Sequence, residues 1–232
     1  MAQEKPKRAQ LLPVHYAVKH GHIHVVRWIL NESQDINPTN KEGVSLLHIA
    51  SLYGQENLIK EILPLLRDSN PKDSNNESVL HYAARGGHYE VFKYLAQFYD
   101  DVNPGNLYRD GPLHIAASQS SHNSGCTEIV RYLQNRLINK NPRNHQGNTP
   151  LHFAAMQGNT EIVKIILEKE EEKNPKNANR KTPLHYAAIN GHYEVFRIIA
   201  SLIEDKNPSE YLFLNWNNCM MCRLVDISLC FR

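Results

Sequence analysis

Apolar and polar residues alternate along this chain in a pattern that repeats with a nearly constant period. Each copy has a short segment built on Leu-His-x-Ala or a close variant. A second segment follows, in which an adjacent apolar pair precedes another apolar residue three positions on. The histidines that mark the copies are His15, His48, His81, His114, His152 and His185. They are 33 residues apart, except for a 38-residue step between His114 and His152. A period of this length predicts a stack of repeated structural units.

The first segment of each copy predicts a short helix. In the two most regular copies, residues 149–155 and 182–188, a threonine can cap the helix and a proline can occupy its first position. The leucine is expected to point into the core, and the two alanines keep one helix face thin enough for a neighbour. The histidine is expected to hydrogen-bond the loop before it. The other copies, at residues 12–17, 45–50, 78–84 and 111–117, are less regular.

The second segment of each copy predicts an amphipathic helix with one buried stripe. The stripes are Val25, Val26, Ile29 and Leu30; Leu58, Ile59, Ile62 and Leu63; Val91, Phe92 and Leu95; Ile129, Val130 and Leu133; Ile162, Val163 and Ile166; and Val195, Phe196 and Ile199. A glycine that can end the first helix in a left-handed conformation precedes each second helix. These glycines are Gly21, Gly54, Gly87, Gly125, Gly158 and Gly191. Pro64 predicts that its helix stops or kinks near Leu63.

Polar residues at fixed positions predict tight turns between the copies. Five connectors contain Asn-Pro, which favours an extended bend and blocks continuation of the helix. Two or three residues later, each has an asparagine or aspartate suited to a tight turn: Asn40, Asp73, Asn106, Asn144 and Asn177. Gly43, Gly147 and Asn76 can complete such a turn with a positive φ. Arg109 and Arg180 occupy the same position in the other two, and we expect those turns to differ.

Two regions depart from the repeat. Five extra residues fall within residues 118–124 of the fourth copy. They predict a longer polar turn between its helices, either a neutral insertion or a functional loop. After residue 208 the pattern breaks off. We expect residues 211–214 to fold back on the last helix pair, and a truncated or aberrantly spliced end is the alternative.

The repeated residues resemble those of the ankyrin repeat family, in six tandem copies. Gly-His at residues 21–22, 87–88 and 191–192 and Glu-Ile-Val at residues 128–130 and 161–163 match family motifs. The resemblance implies an all-α solenoid of stacked antiparallel helix pairs with β-turn fingers. We therefore expect three regions: an N-terminal lead-in at residues 1–10, an ankyrin repeat domain at residues 11–208 and a non-repeat tail at residues 209–232. The expected repeats are about 11–36, 37–69, 70–102, 103–140, 141–173 and 174–206.

Composition narrows the expected setting. The net charge of +2 is too small to favour nucleic acid as a partner. No apolar run approaches the roughly 20 residues of a membrane span. No apolar segment follows the basic residues near the start, so no secretory signal is expected. Three of the four cysteines crowd into the tail, which favours a reducing compartment. We therefore expect a monomer in the cytoplasm, with the nucleus as the alternative.

Candidate chemistry in the sequence is sparse. The cluster of His20, His22 and His24 could hold Zn²⁺ or Ni²⁺, but His22 belongs to the repeat pattern. Cys219 and Cys222 with Cys230 supply less than the four ligands of a structural zinc site. No phosphate loop, metalloprotease motif or nucleophile elbow occurs. The sequence therefore predicts a non-catalytic protein without a metal or other cofactor.

The resemblance implies that the protein is a scaffold that binds another protein through its finger tips and the exposed ends of its first helices. By position, the expected contact residues are Lys41, Glu42, Leu52, Tyr53, Glu77, Arg85, Leu107, Tyr108, Asp110, His145, Gln146, Met156, Lys181 and Ile189. We expect Tyr53, Arg85 and Tyr108 to lie near one another at the centre of the site, because aromatic and arginine side chains are favoured anchors. The alternative is a substrate-recruiting adaptor of a ubiquitin ligase, because Met221-Cys222-Arg223-Leu224-Val225 faintly resembles the Leu-Cys-Arg run of the box that recruits ligase components.

Overall fold

Twelve α-helices form the described part of the chain. The computed structural model describes residues 11–33, 35–66, 70–120 and 123–203. The helices are α1 Pro13–Lys19, α2 Ile23–Glu32, α3 Leu46–Leu52, α4 Glu56–Ile62, α5 Val79–Gly86, α6 Tyr89–Leu95, α7 Pro112–Ala117, α8 Ser124–Arg136, α9 Pro150–Gln157, α10 Thr160–Lys169, α11 Pro183–Ile189 and α12 Tyr193–Ser201. In these residues the only β pairing is two isolated bridges, Thr39 with Ser45 and Lys72 with Ser78. The predicted all-α fold is confirmed.

The helices fall into two compact units, residues 1–112 and 113–232. In the first unit, α3 packs against α1 and α5, and the pairs α1–α2, α3–α4 and α5–α6 pack internally. In the second unit, α9 packs against α11, while α10 packs against α8 and α12. Each unit therefore stacks helix pairs, with first helices beside first helices. The division falls within the fourth predicted repeat: its finger belongs to the first unit and α8 to the second.

The predicted apolar stripes lie in the cores of both units together with leucines and alanines of the first helices, except for part of the first stripe and Phe196 of the sixth, which is half-buried. All four stripe residues of the second copy are buried, as are those of the third, fourth and fifth copies. The first copy differs, because only Val26 of its four is buried and Val25 is 47% exposed. Its helix pair has described residues packed against it on one side only, which leaves part of the stripe facing outward. The assignment of Val25 to the buried stripe was therefore wrong.

The first helices begin as the repeated motif predicts. Thr149 and Thr182 are N-cap residues, each followed by a proline in the first turn. The Thr149 hydroxyl lies 2.9 Å from Nδ1 of His152, and Ser45 makes the same 2.9 Å contact with His48. Serine thus replaces threonine without loss of the cap, so the less regular second and third copies retain this feature.

Two expectations about helix ends are confirmed, and one is wrong. Gly54 and Gly158 have φ angles of +70° and +71°, which L-amino acids with side chains rarely adopt. Helix α4 ends at Ile62, and a 3₁₀ turn at Leu63–Leu65 contains Pro64. Gly125, however, does not precede a helix but lies inside α8. Asn123 caps that helix by accepting a hydrogen bond from the Cys126 N–H, so Ser124, the last residue of the predicted long turn, already belongs to α8.

The turns at Arg109 and Arg180 do not differ from the others, contrary to the expectation. Their φ angles are +61° and +59°, against +59° at Asn76. Both arginine N–H groups bond back to the carbonyl three residues earlier, at 2.9 Å, as the Asn76 N–H does. The reason is that an asparagine or aspartate side chain holds each turn, and this outweighs the cost of about 1–2 kcal/mol for a left-handed residue with a side chain.

Candidate protein-binding surface

Each finger is a closed turn built around one buried asparagine or aspartate. The Oδ1 atom of Asn106 accepts hydrogen bonds from the N–H groups of Tyr108 and Asp110, both at 2.9 Å. Asn40, Asp73, Asn144 and Asn177 make the equivalent pairs of bonds in their own fingers. One side chain therefore satisfies two backbone donors and fixes the conformation of the tip.

Neighbouring fingers within a unit are joined by backbone hydrogen bonds. The Ser74 N–H donates to the Glu42 carbonyl at 2.8 Å, and the Leu107 N–H to the Asn75 carbonyl at 2.9 Å. In the second unit the Ala178 N–H donates to the Gln146 carbonyl at 3.0 Å. Because each tip is held from within and from the adjacent finger, the fingers present their exposed side chains from a fixed frame.

The repeated histidines connect each first helix to the following finger. Backbone N–H groups donate to Nδ1, as Ser45 and Thr149 do at 3.1 and 3.0 Å. The Nε2–H then donates to a carbonyl about one repeat further on. These bonds are His15 to Val44 at 3.0 Å, His48 to Glu77 at 3.1 Å, His81 to Asp110 at 3.0 Å, and His152 to Lys181 at 3.2 Å. The predicted bond to the preceding loop is confirmed; the bond to the next finger was missed.

This geometry requires neutral imidazole. Nδ1 must accept while Nε2–H donates, so a second ring proton would point at an N–H donor. Burial lowers the pKa values of His48 and His81, and it lowers the pKa of His152 to about 4. The repeated histidines are therefore structural hydrogen-bonding groups.

The finger residues predicted for the first unit are mostly accessible. Leu107 and Tyr108 are 55% and 62% exposed, and Lys41 is also exposed. Tyr53 is 39% exposed at the end of α3, with the Lys19 ammonium 5.5 Å from its ring centroid. Glu42, Leu52 and Asp110 are half-buried. The most accessible apolar group of this set is the adjacent pair Leu107 and Tyr108.

Glu77 and Arg85 need correction as contact residues. Glu77 is buried, and its carboxylate accepts hydrogen bonds from Arg85 Nη2 at 2.7 Å and Asn106 Nδ2 at 3.2 Å. Burial by itself raises the pKa of Glu77, but the bond and charge of Arg85 outweigh it and hold that pKa below its usual value. The Arg85 guanidinium also stacks 5.2 Å from the Tyr82 ring centroid. Arg85 thus serves an internal ion pair, and Glu77 has little surface for a partner.

The residues predicted for the second unit are accessible to different degrees. His145 and Gln146 are exposed on one finger, and Lys181 is exposed on the next. The Lys181 ammonium lies 5.9 Å from the Tyr186 ring centroid. Ile189 is 48% exposed, and Met156 is half-buried. The structure therefore places these five on the finger and first-helix elements expected for them.

The asparagine of the Asn-Pro pair has a role that sequence reasoning missed. Asn37 Oδ1 accepts a hydrogen bond from the Leu47 N–H, and Asn174 Oδ1 from the Leu184 N–H, each at 3.2 Å. These donors are first-turn N–H groups of α3 and α11, which have no acceptor within their own helix. The signal was present in the constant spacing from asparagine to helix start, but it was attributed to the proline alone.

Some of the candidate metal ligands lie within the described residues, and others lie outside them. His20 and His22 lie with ring centroids 6.0 Å apart. Within the part of the chain that the structure describes, no group of three or more histidine, cysteine, aspartate or glutamate side chains is arranged to hold a metal ion. Cys219, Cys222 and Cys230 lie outside the described residues. So do residues 211–214 and Met221–Val225, which carried the folding-back and ligase-adaptor hypotheses.

Stacked helix pairs, joined by tight turns and linked through hydrogen-bonded fingers, define the class: a helical repeat protein. Models of ankyrin repeats match residues 14–67, 61–144 and 113–209. The chain belongs to the ankyrin repeat family. The crystal structure of the human ASB11 ankyrin repeat domain is similar, with a TM-score of 0.70 and 25% identity over 82% of this chain and 83% of that one. Among curated proteins, none matches the sequence.

Ankyrin repeats generally mediate interactions between proteins and are typically non-catalytic. Among the helices that the structure describes, none is long and apolar enough to cross a membrane.

Proposed function

We propose that this protein is a non-catalytic scaffold that binds a protein partner through its fingers and the exposed ends of its first helices. Leu107 and Tyr108 are the main anchors in this proposal. The observation that carries it is the exposure of these adjacent apolar side chains, 55% and 62%, on a finger with a fixed backbone. Large aromatic side chains are enriched among residues that dominate binding energy.

The rigidity of the finger supports this choice. The Leu107 N–H is bound to Asn75, the Tyr108 N–H to the Asn106 side chain, and the Arg109 N–H to the Asn106 carbonyl. A loop that is already ordered loses less conformational entropy when a partner binds. The finger therefore offers its apolar pair at little ordering cost.

We propose the remaining predicted residues as further partner contacts, each within its own unit. In the first unit these are Lys41, Glu42, Leu52, Tyr53 and Asp110. In the second unit they are His145, Gln146, Met156, Lys181 and Ile189. We further propose residues 11–208 as the repeat domain, a monomeric state and a cytoplasmic location.

Site-specific photo-crosslinking tests the anchor. A photoreactive phenylalanine analogue replaces Tyr108 in the full chain, and in a matched chain it replaces Phe98, which is 50% exposed on the segment after α6. Position 108 is expected to crosslink a discrete partner in cells, and position 98 is not. Equal crosslinking of the same proteins at both positions contradicts the proposal.

The captured partner then permits a quantitative test. Leu107→Ser with Tyr108→Ser is expected to weaken its binding by about tenfold or more, which corresponds to about 1.4 kcal/mol. Leu65→Ser with Phe98→Ser removes exposed apolar groups of the same unit, 61% and 50% exposed, and should leave the affinity unchanged. Circular dichroism checks that both variants keep the helical fold. An unchanged affinity in the variant with Leu107→Ser and Tyr108→Ser contradicts the proposal that these residues anchor the partner.

A further inference from the structure

The second unit separates its charges in a way that the first unit does not. Residues 141–160 and 173–193, which contain its two fingers and the helices α9 and α11, include no aspartate or glutamate. Their cations are Arg143, Lys173, Lys176, Arg180 and Lys181. The acidic residues between 113 and 203 lie on α8, α10 and α12 and just after α10. The finger side of this unit is therefore basic.

The fingers of the first unit are balanced instead. Each of its three fingers has a cation followed directly in sequence by a carboxylate: Lys41 and Glu42, Lys72 and Asp73, and Arg109 and Asp110. The basic character is thus a property of the two fingers at residues 143–148 and 176–181, and the repeat pattern does not require it.

Three of the five cations remain available to a partner. Lys173 donates to the carbonyls of Leu167 and Glu170 at the end of α10. Arg143 donates to the Lys176 carbonyl at 2.7 Å and pairs with Glu172 at 3.1 Å. Lys176, Arg180 and Lys181 are exposed, and no ion pair among the described residues includes them.

These three cations occupy a single fixed turn. The Asn177 N–H donates to the Lys181 carbonyl at 2.8 Å, and the Asn177 side chain accepts from the Asn179 and Lys181 N–H groups. Two of them also act on α11: burial lowers the pKa of His185, and the charges of Lys181 and Lys176 lower it further. The exposed cations on the fingers of this unit are therefore grouped at residues 176–181.

We propose that the finger at residues 176–181 docks an acidic segment of a partner protein, whose carboxylates meet Lys176, Arg180 and Lys181. This inference rests on the proposed function and specifies the partner chemistry on the second unit. Opposite charges across an interface raise the association rate and select the partner. Exposed Ile189 at the end of α11 offers an apolar contact to residues flanking the acidic segment.

A protein segment fits better than a nucleic acid. The carboxylate of Glu172 lies beside Arg143 at the base of these fingers, and Glu170 and Glu171 precede it in the chain. A nucleic acid backbone needs a continuous basic track, because its phosphates are regularly spaced along its length. The acidic run interrupts such a track, whereas a short acidic peptide needs only the one finger.

Fluorescence anisotropy with the full chain tests the inference. The probes are a short labelled peptide of glutamate and glycine, its glutamine counterpart, and a single-stranded RNA of similar length. The glutamate peptide is expected to bind, and its affinity should fall as salt rises. The glutamine peptide should not bind. RNA binding tighter than that of the glutamate peptide overturns the proposed partner class.

Charge reversal locates the binding surface. Lys176→Glu with Lys181→Glu is expected to weaken glutamate-peptide binding by about tenfold or more. The control, Lys164→Glu with Lys169→Glu, makes the same charge change on exposed residues of α10 and should change affinity less than about twofold. Equal losses in both variants overturn the docking site. If the docking site is overturned in this way while position 108 still crosslinks its partner, only the inference about the acidic segment has failed. If position 108 captures no discrete partner while the glutamate peptide still binds as expected, the first-unit anchor has failed.

Discussion

At the level of single residues, the third and fifth helix pairs solve the same packing problem with different chemistry. Asn106 reaches the Glu77 carboxylate at 3.2 Å, and the equivalent Asn177 reaches the Asn148 amide at 2.7 Å. Aligned by the repeat, Arg85 of the third pair corresponds to Met156 of the fifth. The charge of Glu77 therefore requires Arg85, whereas the neutral amide requires no cation.

This comparison predicts the response to substitution. Arg85→Met is expected to destabilise the protein by about 1–2 kcal/mol, because it leaves the Glu77 carboxylate buried without its cation. The cost is below that of a fully buried pair because the Arg85 side chain is 35% exposed. Urea unfolding measures the change.

The matched control is Glu77→Asn combined with Arg85→Met, which installs the residues of the fifth pair. It should restore most of the lost stability, since no uncompensated charge remains. A double variant as unstable as Arg85→Met alone contradicts this account of the pair.

At the level of elements, the glycines of the fourth and fifth helix pairs occupy equivalent places in the sequence but different structures. Gly158 ends α9 with φ +71°, and an added Cβ atom would lie 2.4 Å from Nδ1 of His192. Gly125 lies in the first turn of α8, because Asn123 caps the helix before it. The inserted residues supplied a cap earlier in the chain, and the helix begins there.

The two glycines should therefore respond oppositely to alanine. Gly125→Ala is expected to stabilise the protein by about 0.5 kcal/mol, because glycine in a helix has more backbone entropy to lose. Gly158→Ala is expected to destabilise it by more than about 1 kcal/mol, through both the left-handed φ and the His192 contact. Thermal unfolding of the two variants gives the sign directly. Destabilisation of similar size in both would mean that α8 does not begin directly after an Asn123 cap.

At the level of the whole molecule, the repeated histidines couple folding to pH. Burial lowers the pKa values of His15, His48, His81, His152 and His185 in the folded state. The unfolded chain takes up protons at these sites near pH 6.5, and the folded chain does so only at lower pH. Their stabilising contribution is therefore complete above about pH 6.5 and is lost as the pH falls through the folded pKa values.

Stability is accordingly expected to fall between pH 7 and pH 4.5. His152 alone, with a pKa of about 4, accounts for a loss of about 3 kcal/mol at full effect. Urea unfolding as a function of pH measures this, and proton uptake on unfolding at pH 5.5 should exceed one per chain. A free energy of unfolding that stays constant from pH 7 to pH 5 rules out the proposed coupling.

Much of the fold follows from interactions that lie close together in the chain. Neighbouring residues or the repeat period account for the helix pairs, the caps at Thr149 and Thr182, the left-handed glycine turns and the end of α4 near Pro64. Sequence reasoning could also place the candidate surface on the fingers and first helices. It treated Arg109 and Arg180 as exceptions because residue preference was considered without the side chain that holds the turn.

The sequence by itself determined the repeat and the class of fold, because periodicity and local capping express them directly. Only the tertiary structure decided which polar groups remain free for a partner. Arg85 is taken by Glu77, eight residues away, while Lys176, Arg180 and Lys181 are left without ion pairs among the described residues. Such pairings depend on contacts between fingers and helices, and the histidine bonds to the next finger span about a whole repeat, beyond the reach of local pattern.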